Sequence, residues 1–265
     1  MNNTISDTSH DGIELESTSH NADIKGNTLT DISGNGIVVR GNSDNADVQN
    51  NSIDNAKNGV TVSGNSANII VARNTIENTR QNGVVIGADA ERVSQNTLTN
   101  INGDAIDVSN SADVKINNNT ITGTAGEGID LNSSNGANIY GNVITDATTN
   151  GISVTDSDDV TVGSNNTVTG GQTGLRVENS DRILITGNSF SNQTGAGSNG
   201  IGDAINLDNS DAARILNNII TATGDDGIDL ENGSDDATIS RNTVNGAGDN
   251  AITVRSNSDN VTIQY

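Results

Sequence analysis

A short phrase, a small residue followed by apolar-x-apolar, occurs eleven times along the 265 residues and constrains the fold more than any other feature. The copies run from Gly12-Ile13-Glu14-Leu15 through Gly128-Ile129-Asp130-Leu131 and Ala204-Ile205-Asn206-Leu207 to Gly227-Ile228-Asp229-Leu230 and Ala251-Ile252-Thr253-Val254. A second phrase, Asn-x-apolar, is interleaved with it from Asn3-Thr4-Ile5 to Asn242-Thr243-Val244, and its Asn residues are 24, 24, 23, 22, 23, 23, 24, 22, 30 and 24 positions apart. A third apolar position lies three residues before most later Asn residues, as at Ile24, Val48, Val71, Ile116 and Ile239, and the copy at Val160-Thr161-Val162 is shifted by one.

Three short period-2 segments per repeat, separated by Gly, Asn, Ser and Asp turns, predict strands of two to four residues. No repeat holds a stretch of 3.6-residue periodicity, so helices are not expected. A unit of this size cannot bury its apolar face alone. Stacked on copies of itself at ~4.8 Å, with each strand pairing in parallel with its equivalent one coil on, it can. The expectation is one solenoid domain over residues 1–265, with about eleven coils and a length of roughly 50 Å. Ile5, Leu29, Ile53, Ile76, Leu98, Ile121, Ile144, Val168, Phe190, Ile220 and Val244 would then form one inward stack, and the Asn residues preceding them an internal hydrogen-bonded ladder. Composition agrees with this. Aromatics are 1% and there is no Pro or Cys, so burial must come from many Ile, Val and Leu contacts. The same composition would suit a disordered chain, but disordered tracts do not keep apolar residues in register over eleven copies.

The formal charge is −22, from 34 acidic and 12 basic residues. That disfavours nucleic-acid binding, which needs a basic stripe, and anionic membrane surfaces for the same reason. An excess of Asp with three lysines fits a chain kept soluble in brine, where salt screens self-repulsion. Residues 1–30 hold no apolar leader-like run, and nothing approaches the roughly 20 apolar residues of a membrane span.

The interleaved phrases resemble the right-handed parallel β-helix coils of the pectate-lyase-like superfamily, which includes polysaccharide lyases, polygalacturonases and alginate epimerases. The resemblance covers essentially the whole chain. It implies an all-β, single-stranded right-handed parallel β-helix and an extracellular or cell-surface protein that binds or cleaves a polysaccharide. Two other readings stay open. One is a structural or adhesive solenoid that stacks end to end or joins flanking domains of a longer protein. The other is an ice-binding face on the rows Thr28/Thr30, Thr97/Thr99, Thr120/Thr122 and Thr167/Thr169, which Asp54 and Glu77 interrupt.

The 30-residue interval marks a longer coil at about 191–204, with a Gly-rich insertion from Gln193 to Gly202, and solenoid insertions often carry function. Asp203 follows it, and Asp225-Asp226 come 22 residues after Asp203, one period on. Carboxylates brought together in this way cannot all ionise freely, so one is expected to titrate high. The pair of phrases is similar to part of the polygalacturonase signature, which implies Asp226 as the acid, Asp203 and Asp225 as the residues that handle water, and Asp229 and Asn206 as substrate contacts. Arg176 is the nearest match to the base of a lyase and a further substrate contact. The chain departs from that signature in the next coil, Gly248-Asp249-Asn250-Ala251-Ile252, and has no His or Lys after Lys115. An earlier group, Asp104, Asp107, Glu127 and Asp130, is expected as a Ca²⁺ site, since stacked carboxylates and turn carbonyls supply its oxygen ligands. Asp in turns is also favoured by turn geometry alone, and His10 and His20 are expected in surface turns.

Overall fold

The computed structural model describes residues 2–89, 91–195 and 200–264, and its 33 strands form three parallel sheets of eleven strands each, with no helix among the described residues. The first sheet runs from Thr4–Ser6 to Thr243–Asn245, the second from Ile13–Leu15 to Ile252–Val254, and the third from Asp23–Lys25 to Thr262–Gln264. Each strand pairs with its equivalent in the neighbouring coil. Ile76 stands beside Ile53 and Leu98 in the first sheet, and Ile205 beside Leu175 and Ile228 in the second. Strand lengths exceed the expected two to four residues in places, reaching six at Asn150–Thr155 and Thr173–Glu178, where the second sheet also recruits the residues before the small-residue phrase. The shifted copy keeps its register, with Val162 beside Ile139 and Ile185 and the extra residue taken up after it.

The apolar columns close on one another as a dry core, with Leu29, Ile53, Ile76, Leu98, Ile121 and Phe190 each at most 1% exposed. Backbone in the turns is satisfied by side chains. From Asn3 to Asn218 every Asn of the second phrase donates its N–H to Oδ1 of the next Asn at 2.9–3.3 Å. The same amides donate through Nδ2 to third-sheet carbonyls such as Ile24 O, Val71 O and Ile116 O. A serine ladder runs beside the second sheet, from Ser111 through Ser134, Ser157, Ser180 and Ser210 to Ser234, each N–H donating to the next Oγ. Asn and Asp also hold many of the left-handed turn positions, including Asp31 (φ 57), Asn55 (φ 54), Asn118 (φ 55) and Asn217 (φ 55), where their short polar side chains are tolerated best.

The 30-residue interval does not disturb this spine. Asn188 donates to Asn218 at 2.9 Å just as neighbouring rungs do, so the step between coils is the same across the longer interval. Of the insertion from Gln193 to Gly202, residues 196–199 lie outside the described residues. Its two bases are anchored by Thr194 N–H to Gly171 O (2.8 Å) and Gly202 N–H to Gln172 O (2.7 Å). The Thr-x-Thr rows stand in register on the outward face of the first sheet, with Thr97 beside Thr120 and Thr99 beside Thr122.

One core column contains an exception. The residue preceding each third-sheet strand is apolar in every coil, as at Ala46, Ile69, Val114 and Ala137, save that Glu91 occupies the fourth coil. Glu91 is 1% exposed, accepts the N–H of Ile69 on Oε2, and has no partner for Oε1. Removal from water pushes its carboxyl up to about 8.

Candidate functional site

The outward side of the second sheet carries two columns of side chains. From the fifth coil on, one column reads Asp107, Asp130, Ser153, Arg176, Asn206, Asp229 and Thr253, and the other Ser109, Asn132, Thr155, Glu178, Asp208, Glu231 and Arg255. Both follow from strand alternation, since the residues between them point into the core. In the first four coils the first column is Glu14, Val38, Thr61 and Val85, so polarity is concentrated in the later coils.

Stacking brings the residues flanking the insertion together. Asp226 N–H donates to Asp203 Oδ1 at 2.9 Å, and Asn250 N–H donates to Asp226 Oδ1 at 2.8 Å. These contacts belong to a further ladder, in which the residue before the small-residue phrase serves, in several coils, as acceptor for the backbone N–H of the next coil. Asn58 accepts from Asn82, Asn82 from Asp104, and Asp104 from Glu127 in the same way. One oxygen of Asp203, Asp226 and Asp104 is therefore committed to the fold, and the other is left over. Asp203 is 1% exposed with Oδ2 unpartnered, and burial together with Asp229, Asp226 and Asp225 pushes its carboxyl up to about 7. Asp225 is half-buried and donates its N–H to Gly202 O, and one carboxylate oxygen from each of Asp225, Asp226 and the exposed Asp249 lies within 4.8 Å of the other two. Among the described residues, that trio is close enough to share one cation.

Asn206 and Asp229 are side by side on the sheet and both 0% exposed. Asn206 Nδ2 donates to Asp229 Oδ2 (3.5 Å) and Glu231 Oε1 (3.3 Å), while Asn206 Oδ1 and Asp229 Oδ1 accept nothing. Glycine is required above them, since a Cβ on Gly200 (φ 75) would stand 2.4 Å from Asn206 Cγ. Arg255 Nη2 lies 2.5 Å from Asp229 Oδ2 and 3.3 Å from Glu231 Oε2, and burial keeps the Asp229 carboxyl up near 6 against that counter-charge. Arg176 is two coils before Asp229 and is held by Glu178 (3.1 Å) and Asp208 (3.4 Å).

Asp104, Asp107, Glu127 and Asp130 form a second acidic patch four coils earlier, ~20 Å away along the axis. Asp104 and Glu127 meet through the ladder, Asp107 accepts from Asn82 Nδ2 (2.8 Å) and Ser109 Oγ (3.1 Å), and burial raises Asp104 and Asp130 to about 6. Asp249, Glu231 and Arg255 were not among the residues expected from sequence. Glu231, Asp208 and Arg255 each stand four residues after the small residue of their phrase, which marks the second outward column.

A family model described as "Right handed beta helix region" matches residues 1–76, 58–197 and 127–265. Among solved structures the chain is similar to the A-module of Azotobacter vinelandii mannuronan C-5 epimerase AlgE6, at 15% identity and TM-score 0.71 over 96% of this chain and 88% of that one. It is also similar to the catalytic unit of the thermostable GH87 α-1,3-glucanase from Streptomyces thermodiastaticus strain HF3-3 (19% identity, TM-score 0.66, 96% and 61% covered) and to the Dettilon tailspike protein (16%, 0.60, 96% and 60%). At such identities the likeness is one of fold. No curated protein matches the chain.

Proposed function

The chain belongs to the right-handed β-helix region family, and from that premise we propose that it binds an extended polysaccharide along the outward face of the second sheet and cleaves it beside the insertion. The observation that carries this reading is the meeting of Asp203 and Asp226 across adjacent coils on that polar face, next to the one long coil. The solved structures it resembles include a mannuronan epimerase and an α-1,3-glucanase, whose names place their chemistry on polysaccharides. In this scheme Asp203, buried and titrating near 7, holds the proton delivered to the leaving oxygen. Asp226 and the more accessible Asp225 orient water. Asp229, Asn206, Arg176 and Arg255 hold the sugar, and Arg255 brings a positive charge to a coil that has no His or Lys. The patch of Asp104, Asp107, Glu127 and Asp130 would hold Ca²⁺ or a further sugar unit, and work on such a substrate fits an extracellular or cell-surface setting.

The test uses a panel of neutral, acidic and amino polysaccharides, with and without Ca²⁺, and follows new reducing ends and unsaturated products. Asp226→Asn is the informative variant, because Asn fills the same ladder position at Asn58 and Asn82 and there accepts the next N–H. It should fold normally, bind glycan, and lose at least 10²-fold in turnover. Full turnover in this variant removes the carboxylate pair from the chemistry, and no binding to any glycan removes the polysaccharide reading.

A further inference from the structure

The third sheet carries an arrangement that the site on the second does not use. Arg92 and Lys115 are register partners in adjacent coils, so two like charges start from backbones ~4.8 Å apart. Like charges side by side on a sheet cost stability, and a chain with 34 acidic residues has ample means to pair them. Both side chains are nevertheless exposed, and among the described residues neither makes an ion pair or a side-chain hydrogen bond. Asp113, two residues before Lys115, turns its carboxylate under Gly136 instead, where an added Cβ would stand 2.5 Å from Asp113 Oδ1. Asn117 faces outward beside Lys115, because Ile116 between them points into the core. It is 8% exposed and its Oδ1 is enclosed without a partner, which leaves the unpartnered Nδ2 as the end that meets the surface. Tyr140 stands next to Asn117 in the following coil and is the one exposed aromatic ring among the described residues. A hollow of about 270 Å³ opens beside the cations, lined by Asn68, Ile69, Ile70, Glu91, Arg92 and Lys115. Burial keeps Glu91 uncharged below about pH 8, so it sets no negative charge against a ligand there.

We propose that the third sheet, from the fourth coil to the sixth, binds an acidic glycan, with a uronate carboxylate or sulfate ester held by Arg92, Lys115 and the Asn117 amide and a sugar ring laid on Tyr140. The class of ligand rests on the carbohydrate reading above, while the place is a separate sheet. All three polar groups are donors without a partner and two are charged, which suits an anion that only accepts. The tyrosine offers a flat apolar face with a polar edge beside them. Arg92 and Tyr140 are two coils apart, ~10 Å, so the ligand that engages both is an oligomer and not a free anion. At ordinary salt, charges beyond ~8 Å are largely screened, and the ligand meets this local pair more than the net charge of −22.

The experiment is calorimetric titration of the full chain at ~0.15 M salt with glucose, mannuronate and sulfated glucose oligomers of equal length, and with inorganic sulfate. The acidic oligomers should bind about tenfold more tightly than the neutral one, and free sulfate more weakly than either. A preference between the two acidic oligomers identifies the anion as carboxylate or sulfate ester. Arg92→Gln/Lys115→Gln should weaken the acidic oligomers about tenfold. Lys57→Gln/Arg214→Gln removes the same charge at two exposed cations elsewhere and should leave them within about twofold, which separates recognition from a general change in net charge. Tyr140→Ala should weaken the oligomers about fivefold and leave sulfate as it was. Equal affinity for the neutral oligomer, an equal loss in both double variants, an unaffected Tyr140→Ala, or sulfate binding as tightly as the oligomers overturns the acidic-glycan inference. Each of these leaves the carbohydrate reading standing, since that reading is judged by turnover in Asp226→Asn. Absence of binding to every glycan defeats both.

Discussion

Glu91 should make the stability of the whole solenoid depend on pH in a way one substitution removes. Its carboxyl is pushed from an ordinary value of 4.5 up to about 8 because it occupies a dry column otherwise filled by Ile, Val and Ala. A folded-state value above the unfolded one means that the folded state prefers the protonated acid. Its contribution is therefore intact below pH ~4.5 and is lost progressively as pH rises through about 8. At about 1.4 kcal/mol per pH unit, the full loss is about 5 kcal/mol above pH 8, and about 3 kcal/mol is already gone near pH 6.5. Glu91→Gln keeps an acceptor for Ile69 N–H but places an amide N–H where Oε1 now has no partner, a cost of about 1 kcal/mol. The two proteins should therefore unfold at similar urea concentrations at pH 5, with the variant slightly weaker. At pH 9 the variant should be the more stable by about 4 kcal/mol. Asp104, Asp130, Asp203 and Asp229 are also raised and tilt both curves in the same direction, so the quantity to follow is the difference between the proteins. A difference that stays constant from pH 5 to 9 would falsify the reading of Glu91 as a neutral acid in the core.

Three further expectations follow from contacts described above. Asn119→Ala removes the acceptor of the Asn96 N–H and amide and the donor to Val93 O, and should cost about 3 kcal/mol by urea unfolding, with an ordinary surface-sized change arguing against a cooperative ladder. Gly202→Ala forces a side chain into a backbone at φ 100, with its Cβ 2.6 Å from Gly195 O, and should destabilise by more than about 1 kcal/mol and speed protease cleavage at the insertion. Arg255→Gln leaves the buried Asp229 and Glu231 without their counter-charge. It should cost about 2 kcal/mol at pH 8 and markedly less at pH 5, where Asp229 is protonated, and a loss independent of pH would point to packing instead.

The fold was legible because a parallel solenoid turns sequence period directly into contact. Once the Asn phrases were aligned, Ile76 had to stand beside Ile53 and Leu98, and Asp203 beside Asp226. What one oxygen of Asp203 and Asp226 does was harder to read. Asn and Asp accept a backbone N–H equally well, so nothing in the letters separates a rung such as Asn82 from a reactive acid in the same column. The burial that raises the Asp203 carboxyl could not be counted from spacing. Arg255 and Glu231 belong to the second outward column, which the strand phrase as first written did not reach. Glu91 could have been found by aligning it with Ile69 and Val114, where a lone charged letter interrupts an apolar series.

The asparagine spine keeps its step even where the chain between two rungs lengthens from 24 to 30 residues, so what it measures is coils and not residues. The molecule can therefore be shortened like a ruler cut at its graduations. Excising residues 142–165 would seat Asn166 where Asn142 stood and let Asn119 dock onto it unchanged. The two acidic patches would then move one graduation closer together. Distance between binding positions becomes a quantity selected in whole steps, and any long ligand of this surface meets a protein whose own spacing can be edited without redesigning its interior.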